Sequence, residues 1–325
     1  MINKRTYQEI HGRGQSQNEI DRRWLLFEQE QAIFNHQFLM MAFSPMGGGS
    51  NELGFQNGIY VNGFSSILGD STSEDNLINF ISAKKIDDLT FYMGALLDIS
   101  GKRTSMRSLV SRLHLGGQSR VFSNVTQAVN CIDTGNPGTE ASYNNGSSPL
   151  ERFDGFTQEW EFWNSSNPYG DFSDFLIDDI AIYNYCQANG MKYDIYVSRC
   201  EDYSGTYTDQ QVADHLVQYH DQIHLVAYIS EAIYNLNKGL NSTRKTQLEL
   251  IGNAAIGAGK VQKFNILWAA NGNEGVNMRS WFVQNPNLNA YAGFEAEYNA
   301  WESPAKEGLE LIGQKIYAYS GIYDL

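Results

Sequence analysis

Residues 153–163 read Phe153-Asp154-Gly155-Phe156-Thr157-Gln158-Glu159-Trp160-Glu161-Phe162-Trp163. Side chains alternate faces on an extended strand, so Thr157, Glu159 and Glu161 share one side and Phe156, Trp160 and Phe162 the other. Such a strand packs its rings against helices and lines a polar space with its carboxylates. At i and i+2 the two glutamates stand about 7 Å apart along the strand. Their repulsion raises one pKa, which lets a carboxyl hold a proton near neutral pH, as a general acid must.

Outward from this segment, short apolar strands alternate with amphipathic helices. The predicted strands are 58–64, 89–96, 112–115, 153–161, 192–198, 222–229, 263–270 and 289–295. Between them the predicted helices are 74–85, 121–132, 172–188, 209–219, 244–255 and 276–283, and a last helix spans 304–319. For the third strand, 103–113 reads equally as a helix. Gly190 is placed to close the helix ending at 188. Eight strands alternating with helices over about 265 residues predict an α/β fold, a closed (β/α)8 TIM barrel, spanning 51–325.

Function in such a barrel sits on the loops that follow strands. The 162–171 loop, with Trp163 and Tyr169, therefore faces the functional end. The Gly/Asn/Ser-rich stretch 133–149 precedes the fourth strand and is expected at the opposite, stability end.

Before the barrel, residues 18–43 carry apolar residues at helical spacing (Ile20, Trp24, Phe27, Phe34, Phe38, Met41), and Gly47-Gly48-Gly49-Ser50 forms a linker. Residues 1–50 thus read as an N-terminal helical arm, suited to docking or self-association. No secretory signal is visible at the start, which is consistent with a cytoplasmic, particle-associated or non-classically exported protein. No apolar run is long enough for a membrane span.

The charge balance narrows the partners. Lys and Arg total 23 against 37 Asp and Glu, a net charge of −14. Such a surface repels phosphate backbones and no basic stripe offsets it, so nucleic acid is not an expected partner. Neutral polymers such as glycans are compatible with it. Cys131, Cys186 and Cys200 match no metal spacing and read as buried thiols. His215, His220 and His224, near Asp214 and Asp221, fall on the helix and turn before the sixth strand, away from the functional end. The glycines at 252, 257 and 259 lack the Lys-Ser/Thr pair of a phosphate loop. Neither metal nor cofactor is expected.

The 153–163 segment resembles the fourth-strand signature of glycoside hydrolase family 18, the chitinases and endo-beta-N-acetylglucosaminidases, which reads D-G-x-D-x-D-x-E. Phe153-Asp154-Gly155, Glu159 and Trp160-Glu161-Phe162 stand in its register. His114-Leu115-Gly116-Gly117 resembles the family's S-x-G-G after the third strand, and Val226-Ala227-Tyr228-Ile229 its M-x-Y-D on the sixth. The match in order and spacing covers about residues 58–325. Thr157 stands where the family has an inner Asp, Glu159 replaces an Asp, His114 a Ser and Ile229 an Asp.

The resemblance implies a substrate-assisted retaining mechanism on an N-acetylglucosamine-containing glycan. Glu161 would protonate the leaving oxygen, Glu159 would orient the acetamido group, and Tyr228 would bond its carbonyl. Trp163 would stack on a sugar face. Asp154 and Thr157 complete the signature, and the eighth strand would contribute Phe294 and Glu295, Phe294 flooring the sugar site. Two other readings fit the same sequence. One is a glycan-binding barrel without turnover; the other is a structural subunit of a phage virion or contractile injection particle, mounted through the arm.

Overall fold

In a computed structural model, residues 54–271 and 276–324 are described. The predicted 1–50 arm, the helix predicted over 18–43, and most of the turn after the seventh strand lie outside the described residues.

Eight parallel strands close on themselves: β1 (Gln56–Val61), β2 (Asp88–Phe91), β3 (Val121–Val125), β4 (Gly155–Gln158), β5 (Lys192–Val197), β6 (Gln222–Ala227), β7 (Gln262–Ala269) and β8 (Leu309–Tyr317). The seam is β1 against β8, with Gln56 opposite Gly313 and Tyr60 opposite Tyr317. Helices cover the outside, among them Ser71–Ala83, Phe172–Ala188, Asp209–Tyr219 and Ser242–Gly257. Their starts are chemically marked: Asp70, Asp171, Thr208 and Asn241 each accept a backbone N–H of the first turn. Gly190 follows the end of Phe172–Ala188 at φ +65°, as the sequence predicts. The predicted TIM barrel is the fold, and its core lies between strands and helices, with Phe156, Trp160, Phe162, Ile195, Leu225 and Trp268 buried outward.

Two strands differ from the sequence expectation. Residues 112–115 end a helix, Ser100–Leu115, whose buried Met106, Leu109, Val110 and Leu113 recur at helical spacing. Gly116-Gly117 is its stop, with Gly117 at φ +94°, and β3 comes after it, within the predicted 121–132 helix. Residues 289–295 likewise enter a helix, Tyr291–Ala300, which buries Tyr291, Phe294 and Tyr298 at i, i+3 and i+7. The eighth strand is Leu309–Tyr317, inside the predicted 304–319 helix. Pro304 opens only a 3-10 turn, Pro304–Gly308. At Gly313 an added Cβ would overlap the Gln56 carbonyl, so the seam's close approach selects glycine there.

The barrel interior is ionic at mid-height rather than packed with branched aliphatics. Lys315 Nζ donates to Asp88 Oδ1 at 2.9 Å and Thr90 Oγ1 at 2.7 Å. Arg120 pairs with Asp194, and His224 Nδ1 meets Asn265 Oδ1 at 2.7 Å. Burial pushes Asp88 upward, but Lys315 and Arg120 more than offset it and hold the carboxyl down at about 2. Above this layer the inward residues are Tyr60, Tyr196, Val226 and Leu267.

Candidate functional site

β4 stops at Gln158, so Glu159 and Glu161 stand on the segment leaving the strand at the barrel's C-terminal end. Parity holds past the strand: Trp160 and Phe162 enter the helical layer against Phe175, while the glutamates turn to the mouth. The loop is pinned at several points. Trp160 Nε1 donates to the Gly170 carbonyl at 3.2 Å, and Tyr203 N donates to the Phe162 carbonyl.

Glu159, Glu161, Trp163 and Tyr228 line one open cleft of about 500 Å³. Tyr196 and Tyr317 join them, from β5 and β8. Glu161 is held from both sides: the Tyr196 hydroxyl donates to Oε1 at 3.0 Å and Asn164 Nδ2 donates to Oε2 at 2.8 Å. Asn124 Nδ2, from β3, donates to Glu159 Oε2. Burial pushes Glu159 up to about 7, against the lowering bond from Asn124, and the charge of Glu161 adds to the rise. Glu159 is thus a carboxyl able to hold a proton near neutral pH. Trp163 packs on Tyr196, ring centroids 5.7 Å apart. Tyr228 lies 6.0 Å from the Tyr317 ring, so the floor is aromatic.

Other predicted site residues fall elsewhere. Asp154 precedes β4, at the opposite end, where its Oδ2 accepts from Val121 N at 2.7 Å and meets His114 Nε2 at 3.0 Å. Both belong to segments likened to family motifs, yet they bond each other at the barrel's base. Phe294 is buried in the Tyr291–Ala300 helix, 6.1 Å from the Trp268 ring, and Glu295 accepts from the Tyr291 hydroxyl at 2.8 Å. Neither lines the cleft, because the strand they were placed on is a helix. Thr157 lies below the glutamates, its hydroxyl 3.0 Å from Thr90 Oγ1, which in turn accepts from Lys315. At the inner signature position a neutral hydroxyl thus meets the ionic layer through Thr90 and does not line the cleft.

The 133–149 stretch is also displaced from its expected end. Since β3 comes later, this stretch leaves the functional end, and Asn136, Gly138 and Glu140 line a second cavity of about 310 Å³ with Asn124, Tyr92 and Tyr169. Glu140 is buried there, its carboxyl pushed up to about 8 by burial and bonded by Ser123 Oγ at 3.0 Å.

Sequence reasoning missed Asn124, Tyr196, Asn164 and also Arg244, which lines the cleft from the first turn of the helix Ser242–Gly257. Tyr196 had a signal: in 192–198 it shares inward parity with Asp194. Asn124 had none while its strand was read as a helix.

The histidines are tied to carboxylates. His215 and His220 both bond Asp179, at 2.8 and 3.1 Å, in the helical layer. His224 lies 3.5 Å from Asp194 inside the barrel. Asp88, Asp194 and His224 cluster closely enough to ligate a metal ion. Lys315 and Arg120 already balance the two carboxylates, so this donor set does not fit a further dication. The three cysteines are buried. No helix among the described residues is long and apolar enough to cross a membrane.

Fold and cleft together define a parallel (β/α)8 barrel with a carboxylate-lined opening at the end where such barrels carry their sites. No family model matches the sequence, and no curated protein matches it. Similar solved structures include orotidine 5'-monophosphate decarboxylase from Methanocaldococcus jannaschii, at 11% identity and TM-score 0.43, covering 83% of this chain and 91% of that one. Another is the Group IV chitinase of Ostrinia furnacalis, at 11% identity and TM-score 0.45, covering 82% and 92%. At such identities and TM-scores neither likeness carries an argument about this chain's activity.

Proposed function

We propose that the chain is a carbohydrate-active barrel that binds N-acetylglucosamine-containing glycan and hydrolyses it by a substrate-assisted retaining mechanism. The observation that carries this reading is the gathering of Glu159, Glu161, Tyr228 and Trp163 around one open cleft. Rings and neutral hydrogen-bonding groups beside paired carboxylates suit a sugar and an acid-catalysed cleavage.

The substrate's acetamido oxygen attacks the anomeric carbon as the bond to the leaving sugar breaks. Glu161 gives its proton to the leaving oxygen, and ionised Glu159 accepts the acetamido N–H, stabilising the cyclic cation. Water then opens that cation and returns a proton to Glu161, so configuration is retained. Tyr228 donates to the acetamido carbonyl. The scheme needs one proton on the glutamate pair, carried by Glu161 during cleavage. The about-7 pKa at Glu159 supports a pair that keeps one proton near neutrality.

Release of sugar from chitooligosaccharide or high-mannose N-glycan by wild type and Glu161→Gln tests the proposal. Wild type is expected to release product of retained configuration, with the variant slower by on the order of 100-fold or more. Equal product from both, or none from either, would sink the hydrolase reading; binding without turnover would leave a glycan-binding barrel.

A further inference from the structure

The cleft is lined by groups of opposite charge. Glu159 and Glu161 come from the segment after β4; Arg199 follows β5, and Arg244 lies in the first turn of the helix Ser242–Gly257, where Asn241 and Thr243 also line the space. Arg199 is exposed and lies 3.4 Å from Glu201. Arg244 differs. Its Nε donates to the Val226 carbonyl at 3.0 Å, which fixes the guanidinium plane beside β6. Of its five N–H donors this takes one, leaving the two terminal nitrogens as a fork.

Among the described residues no carboxylate lies within ion-pair distance of Arg244, in contrast with Arg120, which reaches both Asp88 and Asp194. The two pKa directions differ accordingly. Burial lowers Arg244 to about 10 with no opposing charge, whereas at Arg120 the nearby aspartates outweigh burial and raise it. A partly buried, unpaired guanidinium is unfavourable in the free protein unless a ligand supplies its counter-charge. The adjoining helix start has the same polarity.

We propose that the glycan taken by this cleft is acidic, with a carboxylate substituent of the sugar chain seated on the terminal fork of Arg244. The planar, bidentate match of guanidinium and carboxylate favours that group over a neutral hydroxyl. The inference rests on the reading of the cleft as a glycan site. The net charge of −14 opposes a polyanion at long range, but at physiological salt it is screened within about 8 Å, and one buried contact is screened far less.

Calorimetric titration of the full chain tests this with four tetrasaccharides. One alternates N-acetylhexosamine with hexuronic acid; the second is its methyl ester, the same shape without the charge. The third is the neutral N-acetylglucosamine tetramer, and the fourth is that tetramer carrying sulfate. Wild type is expected to bind the uronate on the order of tenfold more tightly than the ester. Arg244→Gln keeps a donor for the Val226 carbonyl and is expected to bind uronate and ester alike, while Arg244→Lys retains part of the preference; melting curves confirm that both variants fold. Equal wild-type affinity for uronate and ester, or an undiminished preference in Arg244→Gln, overturns the proposal. Tighter binding of the sulfated tetramer than of the uronate overturns the carboxylate assignment. If neutral glycan binds and the uronate does not, the glycan reading stands and this inference falls; if none of the four binds, both fall.

Discussion

Glu159 and Glu161 show how two residues of one type, two positions apart, come to hold different stations. Glu161 receives hydroxyl and amide donors from Tyr196 and Asn164, while Glu159 takes its main support from Asn124. With Glu159 at about 7, its proton is lost as pH rises through that value, so kcat/KM of the proposed hydrolysis is expected to fall there. Asn124 stabilises the ionised form, and its removal raises the pKa further. Asn124→Ala should therefore move the alkaline limb of the pH–rate profile upward, by about one unit. A limb that stays in place or moves down would remove Glu159 from the titration.

At the scale of elements, the sequence disclosed its strands wherever period-2 burial and flanking turns agreed. β5, β6 and β7 and the helices 172–188 and 209–219 were legible to within two residues, and with them the parity that aims Glu159, Glu161 and Tyr228 at one mouth. The failures came where a segment satisfied both periods. Arg112-Leu113-His114-Leu115 alternates like a strand, yet Leu113 continues the helical stripe from Met106. Leu309–Tyr317 carries apolar residues at helical spacing, and what decides for a strand is its pairing with β1 and β7, which no local window contains. Arg244 was invisible for a related reason: its importance lies in the carboxylate it does not meet. The seam offers a test of tertiary selection. Gly313→Ala must push β8 from the Gln56 backbone, and a loss of about 1–3 kcal/mol is expected, read as a lower denaturation midpoint with an unchanged slope. An unaltered midpoint would mean that the seam yields freely.

Across the whole molecule, charge in the barrel's middle substitutes for the aliphatic layers usual in this architecture. Lys315 reaches from β8 to Asp88 and Thr90 on β2, passing β1 at Gly58, where an added Cβ would crowd its stem. Lys315→Met leaves Asp88 buried beside Arg120 alone, and a cost of about 3–5 kcal/mol is expected in chemical denaturation. A neutral result would show that the cation is dispensable to the fold. This molecule-wide tie belongs to the same closure as the β1–β8 seam, in which Asn57 Oδ1 accepts from Gln314 Nε2 across 257 positions of sequence. At roughly 5–20 residues per second of synthesis, the first stave waits on the order of 13–50 s for its neighbour to be made. Through that interval one edge of β1 is an unclaimed row of amides and carbonyls, the kind of surface on which chains pair with the wrong partner. Newly made copies thus meet their greatest hazard of misassembly before the ring exists, and crowding of ribosomes on one message would sharpen it.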